Sequence, residues 1–202
     1  MMQGEGELIA REMRIDAEEI ALRRRFLSLS DEDAELLRRL HQALPADGHG
    51  FTDAFYGMLR TYAPLAGLLR DDATVTRLKT AHERYFRELT AGRYDAAYVA
   101  RRLEVGLTHA RIGLEPKWYI GAFRAYLSAM LQTVWDRFDG RREDVLPTLD
   151  ALLKIALFDL GLTLDTYFHA DKGRIALRDR AIESSVNGIF IADARQDDYP
   201  LI

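Results

Sequence analysis

The chain of 202 residues has no cysteine. That removes disulfides, thiolate zinc sites, iron–sulfur clusters and cysteine nucleophiles at once. It has only five prolines, and these fall between long helical patterns or near their starts. It has no excess of positive charge: Lys plus Arg is 28 against 32 for Asp plus Glu, a formal charge of −4. The basic footprint of a nucleic-acid binder is therefore missing. Long apolar runs are missing too. The most apolar stretch, Leu152 to Leu164, is broken by Lys154 and Asp159, and spanning ~30 Å of hydrocarbon takes about 20 apolar residues. The N-terminus carries Glu5, Glu7, Glu12 and Arg23-Arg24-Arg25 with no signal-type apolar core. No His-x-x-x-His spacing occurs, which argues against a zinc hydrolase. What is present, 48% hydrophobic and 30% charged residues, is an ordinary globular balance. The expectation is a cytoplasmic protein with neither a membrane nor a nucleic-acid partner.

The apolar residues recur at helical spacing throughout the first 170 positions. Asp16 to Leu29 reads as a first helix. Ser30-Asp31-Glu32-Asp33 reads as a capping box in which Asp33 replaces the usual Glu. The helix that follows carries Leu36, Leu37, Leu40 and Leu44 and stops before Pro45. Further helices are expected over 51–62, from Asp71-Asp72 to Thr90, from Asp95 to Gly113, from Pro116 to Phe138, and from Glu143 to His169. Pro116 sits in a first turn, where proline is welcome. The result is an all-α body over 15–170 and a charged helical linker over 171–183. A third segment, 184–202, begins as a turn and short strand around Val186-Asn187-Gly188-Ile189-Phe190.

Five histidines are the candidates for chemistry. His41 and His169 lie near expected helix C-termini, His49 lies in a glycine-flanked loop, and His82, beside Glu83 and Arg84, reads as part of a polar face. His109 differs. Its helical neighbours Val105, Gly106 and Ile112 form an apolar face with a small residue that would let a flat ligand approach. Such a histidine is either a satisfied core residue or the ligand of a haem iron, since one neutral imidazole can hold iron and leave the opposite position open.

The segment Thr108-His109-Ala110-Arg111-Ile112-Gly113-Leu114-Glu115-Pro116-Lys117-Trp118-Tyr119 closely resembles the signature of the globin-coupled sensors, haem-containing globin domains of bacterial signalling proteins. The likeness extends over roughly Ile15 to His169. It includes Phe55-Tyr56, which resembles the family's Phe-Tyr segment, and Val75-Thr76-Arg77-Leu78-Lys79, which resembles the start of its distal helix. The resemblance implies a globin fold with an extra N-terminal helix, binding haem b, with His109 as the metal ligand and Val105 beside it. On the distal side it implies Tyr56, following Phe55, as a hydrogen-bond donor to O2, with CO and NO as further ligands. Leu78 would keep water out, and Ala81 would occupy a position where some relatives carry a larger or hydroxyl-bearing residue. Arg77 and Lys79 are candidate partners for the haem carboxylates. Tyr119 would accept from the His109 ring N–H and fix its tautomer.

The resemblance further implies a homodimer formed through the last two long helices, Pro116–Phe138 and Glu143–His169, the latter expected to be buried nearly all round. The function implied is a haem-based oxygen sensor that relays ligand state through the dimer interface to an output domain lying outside this chain. Such outputs are often a diguanylate cyclase or histidine kinase. Residues 181–193 resemble the opening of a PAS domain. The alternative is a haem enzyme such as a globin-type nitric oxide dioxygenase, disfavoured here by the expected lack of a distal histidine.

Overall fold

A computed structural model describes residues 4–43 and 49–183. All regular structure among them is helical. The helices are α1 Glu5–Glu12, α2 Ala17–Phe26, α3 Asp31–Ala43, α4 His49–Arg60, α5 Ala63–Ala66, α6 Asp72–Thr90, α7 Ala96–Arg111, α8 Pro116–Arg137 and α9 Arg142–Glu183. Among the described residues no helix is long and apolar enough to cross a membrane.

The helix starts follow from short polar side chains that satisfy orphan backbone donors. Asp16 accepts from the amides of Glu18 and Glu19, both at 3.0 Å. Asp71 accepts from Thr74 N at 2.7 Å, and Asp95 from Tyr98 N at 2.9 Å. The expected capping box forms in full: Asp33 N donates to Ser30 Oγ at 3.1 Å, while Ser30 N donates back to Asp33 Oδ2 at 2.8 Å. Lys154 of α9 then closes on the same carboxylate at 3.0 Å, so a local cap also fastens α3 to α9. Gly113, at φ +71°, makes the sharp turn that frees Pro116 to start α8.

The main core gathers Leu37, Leu89, Tyr98, Leu103, Tyr126, Leu152, Ile155, Phe158 and Leu162 around α9. A smaller cluster joins Phe55, Tyr56, Leu69 and Val75 between α4 and α6. These two cores leave a gap between α6 on one side and α7 and α8 on the other.

Three sequence expectations are revised. Two helices, not one, precede α3. α1 is short and mostly exposed, and it docks because Gly6 lets its backbone meet that of Ala100 on α7, where a Cβ would stand 2.0 Å from the Ala100 carbonyl oxygen. α9 does not stop at His169 but runs unbroken to Glu183, absorbing the 171–183 segment. His169 is therefore mid-helix, where its Nε2 meets Glu12 Oε2 at 3.2 Å. Nor is α9 buried all round: Ala151, Leu152, Ile155 and Leu162 are inside, whereas Leu153, Leu157 and Phe168 are 47%, 45% and 64% exposed. The strand and PAS-like opening expected over 184–202 lie outside the described residues.

Candidate functional site

The gap between α6 and the α7–α8 pair is a cavity of about 490 Å³, within the size range of cofactor sites (~300–1,000 Å³). Phe55, Leu59, Leu65, Leu78, Phe86, Val105, Leu114, Ala122 and Phe123 give it an oily lining. Arg84, Glu88, Arg101 and Glu104 stand among its polar residues. Arg77 and Lys79, which flank the lining residue Leu78 on α6, do not themselves line it, and Lys79 Nζ is held by Asp53 at 2.5 Å.

His109 enters from the last turn of α7. Its Nδ1 is 2.8 Å from the Val105 carbonyl, which can only accept, so Nδ1 carries the proton and Nε2 is left as the lone-pair nitrogen. Burial lowers the pKa of this imidazole, which keeps it neutral at pH 7. A neutral ring with its second nitrogen oriented by a carbonyl is the form in which histidine binds a metal. Val105 thus serves the site through its backbone as well as its side chain.

The expected role of Tyr119 is corrected. Its ring lies edge-on to the imidazole, 5.2 Å between centroids, but its hydroxyl points elsewhere. Thr163 Oγ1 donates to that hydroxyl at 3.1 Å, and the Tyr85 hydroxyl sits 3.1 Å away. Gly106 is also reassigned. It faces α9 rather than the cavity, and a Cβ there would meet Thr166 Oγ1 at 2.1 Å.

On the α6 side the cavity holds a residue that sequence reasoning placed wrongly. His82 lines the cavity, its ring stacked on Phe86 at 5.7 Å, and its Nδ1 is hydrogen-bonded to the Tyr56 hydroxyl. Burial, with a smaller contribution from His109, lowers its pKa to about 4. The signal was available: His82 follows Leu78 by four residues and so shares its helix face, as Ala81 does at three. Ala81 lines only an exposed part of the cavity, whereas Leu78 is half-buried in it. Tyr56 itself is buried behind His82 and absent from the lining, so its hydroxyl meets an imidazole rather than open space. Burial also raises its pKa, so the phenol keeps its proton.

Arg102, one of the lining residues, and Asp159 behind it form an ion pair at 3.0 Å, with side chains 2% and 0% exposed. The guanidinium is sandwiched between the rings of Tyr85 and Tyr98, at 3.9 and 4.4 Å. Burial lifts the Asp159 carboxyl above its ordinary pKa, and Arg102 with the two tyrosine hydroxyls pulls it back toward ionisation.

Comparison with known proteins places these features in a lineage. The protoglobin family model matches residues 16–172, and the chain belongs to that family. It is 28% identical over 180 residues to the heme-based aerotactic transducer HemAT of Halobacterium salinarum, covering 85% of this chain and 37% of the transducer. The chain thus spans a little over a third of that relative's length. The globin domain of the Geobacter sulfurreducens globin-coupled sensor superposes with a TM-score of 0.68 at 28% identity, covering 75% of this chain and 97% of that domain. The architecture is accordingly a globin fold, to which α1 is added ahead of the matched region.

Proposed function

We propose that this chain is a haem-binding, gas-sensing globin domain, not itself an enzyme, with haem b in the α6–α7–α8 cavity and O2 as its principal ligand. The observation that carries this reading is His109: a neutral, buried imidazole whose Nδ1–H is spent on Val105, in a cavity of cofactor size. The relationship to a haem-based transducer and a globin-coupled sensor supports it. Haem b supplies an iron that in its ferrous state binds O2, CO and NO. His109 is the residue that holds the iron. Leu78, Val105, Phe55 and Phe123 supply the apolar walls and exclude water. Arg84 and Arg101 are the cations among the lining residues that suit the carboxylates.

The distal chemistry follows from Tyr56 and His82 together. A phenol is a far stronger acid than a neutral imidazole N–H, so the Tyr56 hydroxyl donates to His82 Nδ1. That places the imidazole proton on Nε2, available to a polar diatomic ligand. Tyr56 then acts by fixing the His82 tautomer. A second reading rests on two neutral imidazoles lining one cavity from α6 and α7: with the tautomer reversed, His82 Nε2 would offer the haem a nitrogen donor besides His109. The presence of His82 also removes the argument that a missing distal histidine excludes an enzyme. The sensor reading rests instead on the character of the relatives.

The exposed stripe Leu153, Leu157 and Phe168 on α9, with Leu131 on α8, supports a homodimer through these helices. The dimer would pass ligand state along α9 toward a C-terminal output domain in a cytoplasmic signalling protein. Residues 15–170 would be the sensor body and 184–202 the start of a PAS-like unit. The test is reversible gas binding by reduced, haem-loaded protein. A spectrum that shifts when O2 is admitted and returns when it is removed supports a sensor. Rapid oxidation together with catalytic consumption of NO supports the enzyme instead.

A further inference from the structure

We propose that Asp159 of α9, held by Arg102, is a positioning residue for the His109 imidazole, acting through Tyr85 and Tyr119. The proposal rests on the reading of His109 as the iron ligand and adds how α9 controls that ligand. Each hydroxyl has one hydrogen to give, and this fixes the direction of the chain. Tyr85 spends its hydrogen on Asp159 Oδ2 at 2.9 Å, so the Tyr119 hydroxyl donates to the Tyr85 oxygen at 3.1 Å. Thr163, one turn beyond Asp159 on α9, donates to Tyr119 at 3.1 Å. Tyr119 is thus gripped from two points on α9, and its ring lies edge-on against His109 at 5.2 Å.

The grip is anchored on its dry side, where Asp159 and Thr163 are closed off from solvent, while Tyr85, Tyr119 and Arg102 face the cavity. Asp159 is fully buried, and its other oxygen takes the Tyr98 hydroxyl at 2.5 Å. Arg102 is pinned between two aromatic rings and also donates to the Tyr85 carbonyl at 3.0 Å. Arg102 and His109 share α7, and Gly106 between them brings α7 against Thr163 and Thr166 of α9. A buried ion pair is weak evidence for stability, since apolar replacements often serve as well. Its place here, joining the imidazole-bearing helix to the longest helix, is instead that of a device fixing one geometry. A shift of α9 moves Asp159 and Thr163, and with them the Tyr119 ring. By linkage, a ligand-driven tilt of His109 biases α9 in return.

The experiment compares Tyr85→Phe and Tyr119→Phe, which cut the chain, with Tyr98→Phe, which removes a hydroxyl from the same carboxylate but lies off the path. Asp159→Asn is the fourth variant, and the conservative Tyr→Phe changes keep the proposal testable if it folds poorly. The readouts are the iron–histidine stretching band of ferrous, haem-loaded protein and, in the haem-free protein, the NMR shifts of the His109 ring protons. Tyr85→Phe and Tyr119→Phe should displace both and change O2 dissociation by about fivefold. The double variant should do no more than the larger single one. Tyr98→Phe should lower unfolding stability while leaving both signals in place. Equal displacement by Tyr98→Phe, additive effects of the other two, or no displacement at all would overturn the proposal. If the protein takes up no haem yet its His109 shifts respond as expected, the positioning role stands and the haem reading falls.

Discussion

Gly106→Ala tests the seam on which α7 and α9 meet, one turn from His109. The new methyl would stand 2.1 Å from Thr166 Oγ1, 3.1 Å from Thr163 Cα and 3.2 Å from Thr166 Cβ. The first distance is impossible, so Thr166 must rotate or the helices must part. Thr166 is fully buried, and its hydroxyl donates to the Thr163 carbonyl at 2.6 Å; rotation forfeits that bond, worth about 1 kcal/mol. Overpacking of this kind costs ~1–3 kcal/mol, while alanine in place of a mid-helix glycine returns about 1 kcal/mol. The net expectation is a loss of roughly 1–3 kcal/mol, or ~2–12 °C in Tm for a chain this long. Urea unfolding of the haem-free protein, followed by circular dichroism, measures it. Adding Thr166→Ala deletes the atom in the closest clash and should recover part of the loss. A Gly106→Ala protein as stable as the parent, or more so, would refute the close approach.

Three other expectations follow from the same geometry. Tyr56→Phe removes only the hydroxyl that fixes His82, so O2 should dissociate about fivefold faster in stopped-flow, from ~1 kcal/mol of lost hydrogen bonding, with CO release moved less; equal effects on both gases would argue against this role. The haem-free protein should lose stability as pH falls below about 6.5, because the unfolded chain protonates His82 there while the folded pKa is about 4; the unfolded state binds more protons, so stability rises with pH across that window, His82 contributing at most about 3 kcal/mol and His109 and His41, whose pKa values burial also lowers, adding in the same direction, and His82→Gln should make the slope shallower. Leu153→Glu on the exposed stripe of α9 should shift the sedimentation mass toward monomer without altering the far-ultraviolet spectrum, and an unchanged mass would place the interface elsewhere.

Local chemistry made much of this molecule legible before its fold was known. Asp16, Ser30, Asp71 and Asp95 start helices by bonding amides two or three residues away, and Pro116 needs only its own ring. His109 was legible because its identifying neighbours are contiguous with it. What failed was whatever depends on which face meets which helix. His82 looked polar because Glu83 and Arg84 flank it in sequence, yet the α4–α6 contact turns its face inward onto Tyr56. Gly106 looked like room for a ligand because its partner, Thr166, lies sixty residues away on α9. The sequence points the Tyr119 hydroxyl to His109 because Tyr85 and Thr163, which engage it, come from two other helices. α1 is only eight residues long, with Ile9 as its one buried apolar side chain, and is held by docking at Ala100.

The central claim is that His109 holds an iron in the α6–α7–α8 cavity, and haem titration of the haem-free protein tests it most directly. The parent chain should bind haem one to one and saturably, with a sharp change in the visible spectrum. His109→Ala, which removes the only imidazole on α7 while leaving His82 and the apolar walls, should bind weakly and with an altered spectrum. Equal stoichiometry, affinity and spectrum for the two proteins would contradict the account.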